Sequence, residues 1–205
     1  MPTYIQSLIK KLNSLNWDNL QVSFPLIENL LNEMYSTKKE NLQEYLKNIT
    51  PSEFRKIADQ SAEATTHYKW VLYSSRKYGY SIRLHEYKNI EMQREGYANT
   101  IHNHRYWFAS LILNGGYRHR VYPSDVFVKK EINFVSDTKY SKGNHYYLNP
   151  EVIHSVNEVE KNTLTLIITS KAVRDFSTSL DISDNRVIDH YHFTSRFDSF
   201  KNLLG

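Results

Sequence analysis

The chain has 205 residues, enough for one domain with a full hydrophobic core. Lys and Arg number 26 against 22 Asp and Glu, a near balance that exerts no global pull toward nucleic acid or an anionic membrane. There is no cysteine, which excludes disulfides, thiolate ligands and a cysteine nucleophile and leaves His, Asp and Glu to bind any metal.

The short basic runs Lys38-Lys39, Arg118-His119-Arg120 and Lys129-Lys130 read as solvated faces. The first residues lack the long apolar core of a signal peptide, and no apolar run is long enough to span a bilayer. The expectation is a soluble cytoplasmic protein, monomer or homodimer, whose partner is a small molecule rather than nucleic acid or membrane.

The first third reads as helical. Tyr4, Ile5, Leu8, Ile9, Leu12 and Leu15 recur at helical spacing, as do Leu26, Ile27, Leu30, Leu31 and Met34 after a break at Pro25. Leu42, Tyr45, Leu46 and Ile49 form a third stripe. Thr50-Pro51-Ser52-Glu53 has the form of a helix start, with an N-cap Thr, Pro at the first helical position and Glu at the third. That fourth helix is expected to run toward Ala64.

From Thr66 the pattern changes to aromatic and β-branched runs. Strands are expected over 67–73, 80–87, 97–104, 107–113, 117–122, 126–134, 145–148, 152–156 and 163–169. Asn114-Gly115-Gly116 is a tight-turn signal between two of them. Many short strands at close spacing predict an antiparallel sandwich or barrel, with the helices packed outside. In the tail, 187–193 reads as a strand and 197–204 as a short closing helix. The expected organisation is a single domain over 1–205: a helical segment 1–65, a barrel core 66–170 and an extension 171–205.

Chemistry concentrates at Ile101-His102-Asn103-His104. Residues two apart on a strand share a face, so His102 and His104 would project side by side. A third imidazole from another strand would complete a three-nitrogen facial site suited to a first-row metal. His154, in Pro150-Glu151-Val152-Ile153-His154, is the candidate. A second His-x-His, His190-Tyr191-His192, lacks a following Gly turn and reads as non-ligating. His67, His119 and His145 receive no role.

These residues resemble the two motifs of the cupin superfamily, small jelly-roll barrels. His102-x-His104 followed by Gly115-Gly116 matches the first motif except for its Glu, whose place falls at Phe108 and Ala109. Gly143, Pro150, His154 and Asn157 match the second, with the Pro-to-His spacing one residue short and Val152 in place of a Gly. The match covers roughly 80–169. A cupin with three His and no carboxylate is most similar to the cysteine dioxygenase group of thiol dioxygenases. The resemblance implies a mainly β, double-stranded barrel and a ferrous site on His102, His104 and His154, with Ni, Mn and Zn as alternative metals. It also implies a non-haem oxygenase acting on a small polar metabolite with dioxygen.

The sequence departs from that group in three places. Thr165, Ile167 and Thr169 stand where a Ser-His-Tyr relay would be. No Arg lies at Lys69-Trp70, where the substrate carboxylate would be held. No cysteine is available for a thioether cross-link. The resemblance therefore implies a fold and a metal site rather than a thiol substrate. A redox-neutral metal enzyme (an isomerase or lyase) and a non-catalytic ligand-binding cupin are the alternatives.

Strand phase supplies the remaining candidates. With His102 and His104 inward, Tyr106 and Phe108 share their side, Tyr106 as a catalytic and Phe108 as a substrate-binding candidate. On the 80–87 strand two phases are open. Either Arg83, His85 and Tyr87 line the cavity, with Arg83 a carboxylate clamp, or Ile82 and Leu84 face inward. Tyr147 is a further substrate-binding candidate and Asn157 a weaker one. Three neutral imidazoles would leave a divalent metal its full double charge, which favours an anionic chelating substrate.

Overall fold

The computed structural model describes residues 3–64, 66–88 and 100–191. It opens with α1 (Thr3–Asn13) and α2 (Leu20–Asn48). The stripe of Tyr4 to Leu15 falls mainly on α1, whereas the stripe expected after a break at Pro25 and the third around Leu42 lie on one 29-residue helix that runs through Pro25. An interior proline removes one helical hydrogen bond and crowds the carbonyl four residues back, at a cost of about 3 kcal/mol. The helix continues because Phe24, Ile27, Leu31, Met34 and Leu42 share a buried face. Full burial of each such side chain contributes roughly 1.5–3 kcal/mol.

In α3 (Pro51–Ala58) the expected start is present. Thr50 Oγ1 accepts from Glu53 N at 3.2 Å, and the Glu53 carboxylate accepts from Thr50 N at 3.1 Å. The helix stops at Ala58 instead of reaching Ala64, and Ala62–Glu63 form the short strand β1.

The rest is β-rich: β2 (His67–Ser75), β3 (Tyr80–Tyr87), β4 (Ile101–His102), β5 (Phe108–Asn114), β6 (Gly116–Tyr122), β7 (Ser136–Ser141), β8 (His145–Leu148), β9 (Ile153–Asn157), β10 (Leu164–Ser170), β11 (Phe176–Asp181) and β12 (Arg186–Tyr191). Two six-stranded antiparallel sheets have the orders β1-β2-β3-β10-β5-β8 and β12-β11-β4-β9-β6-β7. From β3 to β10 the chain crosses between sheets so that β3-β10-β5-β8 faces β4-β9-β6-β7. That is the strand order of a jelly roll, the double-stranded barrel of cupins.

Asn114-Gly115-Gly116 marks one crossing, from β5 in the first sheet to β6 in the second. Gly115 has φ +66, and a Cβ there would lie 2.4 Å from Thr163 Oγ1, so the turn needs glycine.

The helical layer fixes which way the first sheet faces. Ile82, Leu84, Ala109, Leu111, Leu166 and Ile168 pack outward with Ile5, Leu8, Leu12, Phe24, Ile27 and Leu31 of the helices. Alternation then turns Arg83, His85, Tyr87, Phe108, Thr165 and Ile167 into the barrel. His145 Nδ1 lies 3.1 Å from Glu28 Oε1, tying β8 to α2. Inside, Phe108, Ile112, Tyr117, Tyr146 and Ile167 form a second core. On the outer face of the second sheet, Ile101, Tyr122, Val126, Ile153 and Leu180 form a third.

Several expected elements are corrected. The strand expected over 126–134 is a helical turn, α4 (Val126–Lys129), followed by residues outside any regular element up to β7. An ion pair between Asp125 and Lys129 at 2.7 Å spans the turn, and Lys130 at φ 58 ends it. Only Val126 of its apolar residues is buried, and Val128 is 83% exposed. The strand role passes to β7, whose polar Ser-Asp-Thr-Lys-Tyr-Ser run suits the edge of a sheet. β11 was not expected.

Of the 97–104 strand, β4 covers only Ile101–His102, and 97–99 lie outside the described residues. β12 takes the place of the 187–193 strand up to Tyr191. Residues 192–193 and the 197–204 helix also lie outside the described residues.

Phe24 is fully buried against Trp107, with ring centroids 5.5 Å apart. Phe24→Ala is expected to lower unfolding stability by about 3–5 kcal/mol in urea titrations. Leu26→Ala, at a 46% exposed position of the same helix, is expected to cost under about 1 kcal/mol.

Candidate metal centre

β4 and β9 are neighbours, and His102 stands directly opposite His154 across the ladder. Their side chains therefore share the inner face. His104 lies just past the end of β4, so strand alternation alone does not place it. Its approach is fixed by Asn103, whose backbone N–H donates to Thr178 O at 3.1 Å while its Oδ1 accepts from Thr178 N at 2.8 Å.

The three imidazoles converge: one ring nitrogen from each lies within 4.8 Å of the others. His104 Nε2 and His154 Nε2 are 2.9 Å apart. Metal–imidazole bonds of about 2.1 Å at right angles separate their nitrogens by about 3 Å, so this pair already has cis-ligand spacing. The sequence-expected ligand set is thus brought together by the fold.

The second nitrogens are also engaged. His102 Nδ1 lies 3.1 Å from Thr100 O, which makes it the protonated nitrogen and leaves Nε2 a lone pair. His154 Nδ1 lies 2.8 Å from Nε2 of His119, a buried residue of β6. For His154 to offer Nε2 to a cation, Nδ1 must donate to His119, whose own proton then sits on Nδ1. Burial suits this. It lowers the pKa values of His102, His104 and His154 below the ordinary imidazole value and pushes His119 down to about 4. All four are neutral near pH 7, and neutral imidazole is the form that binds metal.

The site opens on an inner chamber of about 100 Å³ lined by Lys69, His85, Tyr87, Phe108, Tyr146 and Ile167 as well as the three histidines. Beyond it lies a cleft of about 860 Å³ lined by residues that include His67, Lys69, Arg83, Arg105 and Tyr106. No carboxylate lines the inner chamber among the described residues. A metal here would be held by nitrogen alone.

Tyr106 is 5.4 Å from the His104 ring, and Phe108 meets the same ring edge-on at 4.9 Å. The Arg83 guanidinium lies 5.9 Å from the Tyr106 ring centroid. The phase of β3 left open by the sequence is thereby decided: Arg83, His85 and Tyr87 face the barrel interior.

Tyr147 is a correction. It points to the outer face, stacks on Trp107 at 6.4 Å and is 36% exposed. The register Ala109↔Tyr147 puts it with the helix-facing residues, and its neighbour Tyr146 takes the inner position opposite Ser110. Asn157 also turns away from the site and donates to Ser155 Oγ at 2.6 Å. His190 meets Ser179 Oγ at 2.7 Å and is no part of the triad. His192 lies outside the described residues.

Among the inward residues given no role by the sequence are His119, His67 and Lys69. For His119 a signal existed, since Arg118 and Arg120 on either side pair with Asp137 and Glu158 outside the barrel and so turn His119 in.

No family model matches the chain, and no curated protein matches it. Solved structures do resemble it. Ectoine synthase from P. lautus shares 13% identity over 59% of this chain and 77% of its own, with a TM-score of 0.42. KdgF from Halomonas sp. shares 11% over 56% and 91%, with a TM-score of 0.40. An RmlC-like cupin from Shewanella frigidimarina shares 14% over 57% and 89%, with a TM-score of 0.39.

The His119 contact carries a test. His119→Leu leaves the His154 Nδ1–H buried without an acceptor and is expected to weaken Co(II) or Zn(II) binding about 10–100-fold by competitive chelator titration. His119→Gln, which can supply an amide oxygen, is expected to recover most of that loss.

Proposed function

We propose that the protein is a metal-dependent enzyme of the cupin type, a non-haem Fe(II) oxygenase that acts on a small anionic metabolite with dioxygen. The observation that carries this reading is the convergence of His102, His104 and His154 within 4.8 Å, in a chamber that no carboxylate lines among the described residues. A bound divalent metal would supply Lewis acidity and, as Fe(II), electrons for dioxygen reduction.

The chain's own residues do the rest. The three imidazoles would hold the cation, and the chamber beside them would give a ligand access to it. His119 and the Thr100 carbonyl orient two of the rings. Phe108, Ile167 and Val156 line the chamber with apolar surface, which limits water at the reacting centre. Tyr106, beside His104, is the candidate to hold or move a proton on its phenolic oxygen. Arg83, His85 and Tyr87 are the candidate substrate contacts on the facing wall.

The reading is tested by metal analysis of purified protein, anaerobic loading with Fe(II), and oxygen-electrode assays across amino acids, thiols and dicarboxylates. About one metal per chain and substrate-dependent oxygen uptake are expected. His102→Ala, His104→Ala and His154→Ala are each expected to weaken metal binding at least 100-fold. Iron-loaded protein that consumes no oxygen, while Zn(II), Mn(II) or Ni(II) protein turns over a substrate anaerobically, would replace the oxygenase by a redox-neutral isomerase or lyase. Ligand affinity unchanged in all three variants would leave a binding module.

A further inference from the structure

The cleft above the histidines is strongly asymmetric in charge. Among the described residues Lys69, Arg76, Arg83, Arg105 and Lys171 line it, against one carboxylate, Glu63, which is itself paired with Lys88. Two of these cations lie deep. Lys69 reaches the inner chamber, and Arg83 flanks Tyr106 at its edge. Among the described residues no ion pair engages either.

Strand register explains why they meet. Lys69 stands opposite His85 and Val71 opposite Arg83, so Lys69 and Arg83 are diagonal neighbours on the inner face of β2 and β3. Such neighbours are roughly 7–8 Å apart, within range of one small ligand. Around them, buried polar atoms have no protein partner: Arg83 Nε, His67 Nε2 and His85 Nε2. The rings of His67 and His85 stack at 4.3 Å, and the His67 Nδ1 contact to Thr66 Oγ1 at 2.9 Å leaves Nε2 as its ligand-facing nitrogen.

Two like charges side by side, with unpartnered buried nitrogens between them, are costly in an empty wall. An oxyanion resting there would neutralise the repulsion and accept from those donors at once.

We propose that Lys69, Arg83, His67 and His85 form an anion subsite. It would hold the far end of a substrate whose near end binds the metal, so the substrate class is a two-ended acid: a metal-chelating head joined by a short linker to a carboxylate or phosphate. The assignment of the head rests on the reading of His102, His104 and His154 as metal ligands; the subsite itself does not. Tyr106, between His104 and Arg83, is the surface along which the linker lies.

The test separates the two. Inorganic phosphate is titrated calorimetrically into metal-free protein at low ionic strength, with thermal melts to verify folding of each variant. Saturable binding is expected. Lys69→Met and Arg83→Gln are expected to weaken it at least tenfold, Arg83→Lys less, and Arg76→Gln at the exposed mouth by less than twofold. No saturable binding, or unchanged affinity in both Lys69→Met and Arg83→Gln, overturns the subsite. If those losses appear but the wild-type protein takes up no metal, the metal reading fails and the subsite stands.

Protein loaded with Mn(II) then receives lactate, malate and 3-phosphoglycerate, which share a 2-hydroxy acid head. At least one of the two-ended acids is expected to bind tenfold or more tightly than lactate, the stronger of the pair distinguishing a carboxylate tail from a phosphate tail. Lactate binding as tightly as both overturns the substrate class.

Discussion

The candidate site depends on one cross-strand pair, His102 opposite His154. β4 contributes only two residues to its sheet, so little of its own ladder holds that register. The register is imposed from both sides. β9 is zipped to β6 from Ile153 to Asn157, and β11 grips the β4 strand through Ile101 and His102, then through Asn103 and Thr178. A slip of one residue on β9 would turn the His154 ring into the outer cluster of Tyr122 and Ile153 and leave His119 without its partner. The chemistry of the interior thus rests on pairing energy supplied by strands that carry none of the other ligands.

The second constraint is the helical layer. In a sandwich, apolar residues ordinarily face inward, and by that rule Ile82 and Leu84 would fill the barrel. Here α1 and α2 provide a competing apolar surface outside. Ile82, Leu84, Leu166 and Ile168 go to it, and on β3 the alternate polar residues Arg83 and His85 are left to line the cavity. The same inversion explains Tyr146 and Tyr147, adjacent residues of one type, where only the position of α2 decides which is inside. The alternation of the 80–87 strand separates Ile82 and Leu84 from Arg83 and His85, but it does not say which set meets the helices, so the strand could not be oriented from sequence.

Other features were legible because their causes are local. The Thr50 capping box and the Asn-Gly-Gly turn each depend on a few adjacent residues, and each lies where its pattern places it; His102 and His104 do meet, but His104 is placed by the Asn103 contacts past the end of β4 rather than by strand alternation. The 126–134 run misled because it is apolar without having a strand partner. The Asp125–Lys129 pair and the left-handed Lys130 close it as a helical turn, and four of its apolar residues or near neighbours (Val128, Ile132, Phe134 and Val135) remain exposed. β7 was missed for the converse reason, being a polar edge strand with no apolar alternation to read. Lys69 became visible only through register, a long-range property that single-strand patterns do not encode.

Burial divides the interior into two electrostatic classes. Desolvation lowers the pKa values of His67, His85, His102, His104, His119 and His154, so the imidazoles contribute lone pairs and N–H groups but no charge at pH 7. Burial also lowers the pKa of Lys69, and the repulsion of Arg83 adds to it. An anion between the two would reverse that second effect and favour the charged amine. A cation on the histidines and an anion beside Lys69 would therefore reinforce one another through the low-dielectric chamber that separates them. Metal and acidic ligand are then expected to bind with positive coupling, each reducing the electrostatic cost that the other meets.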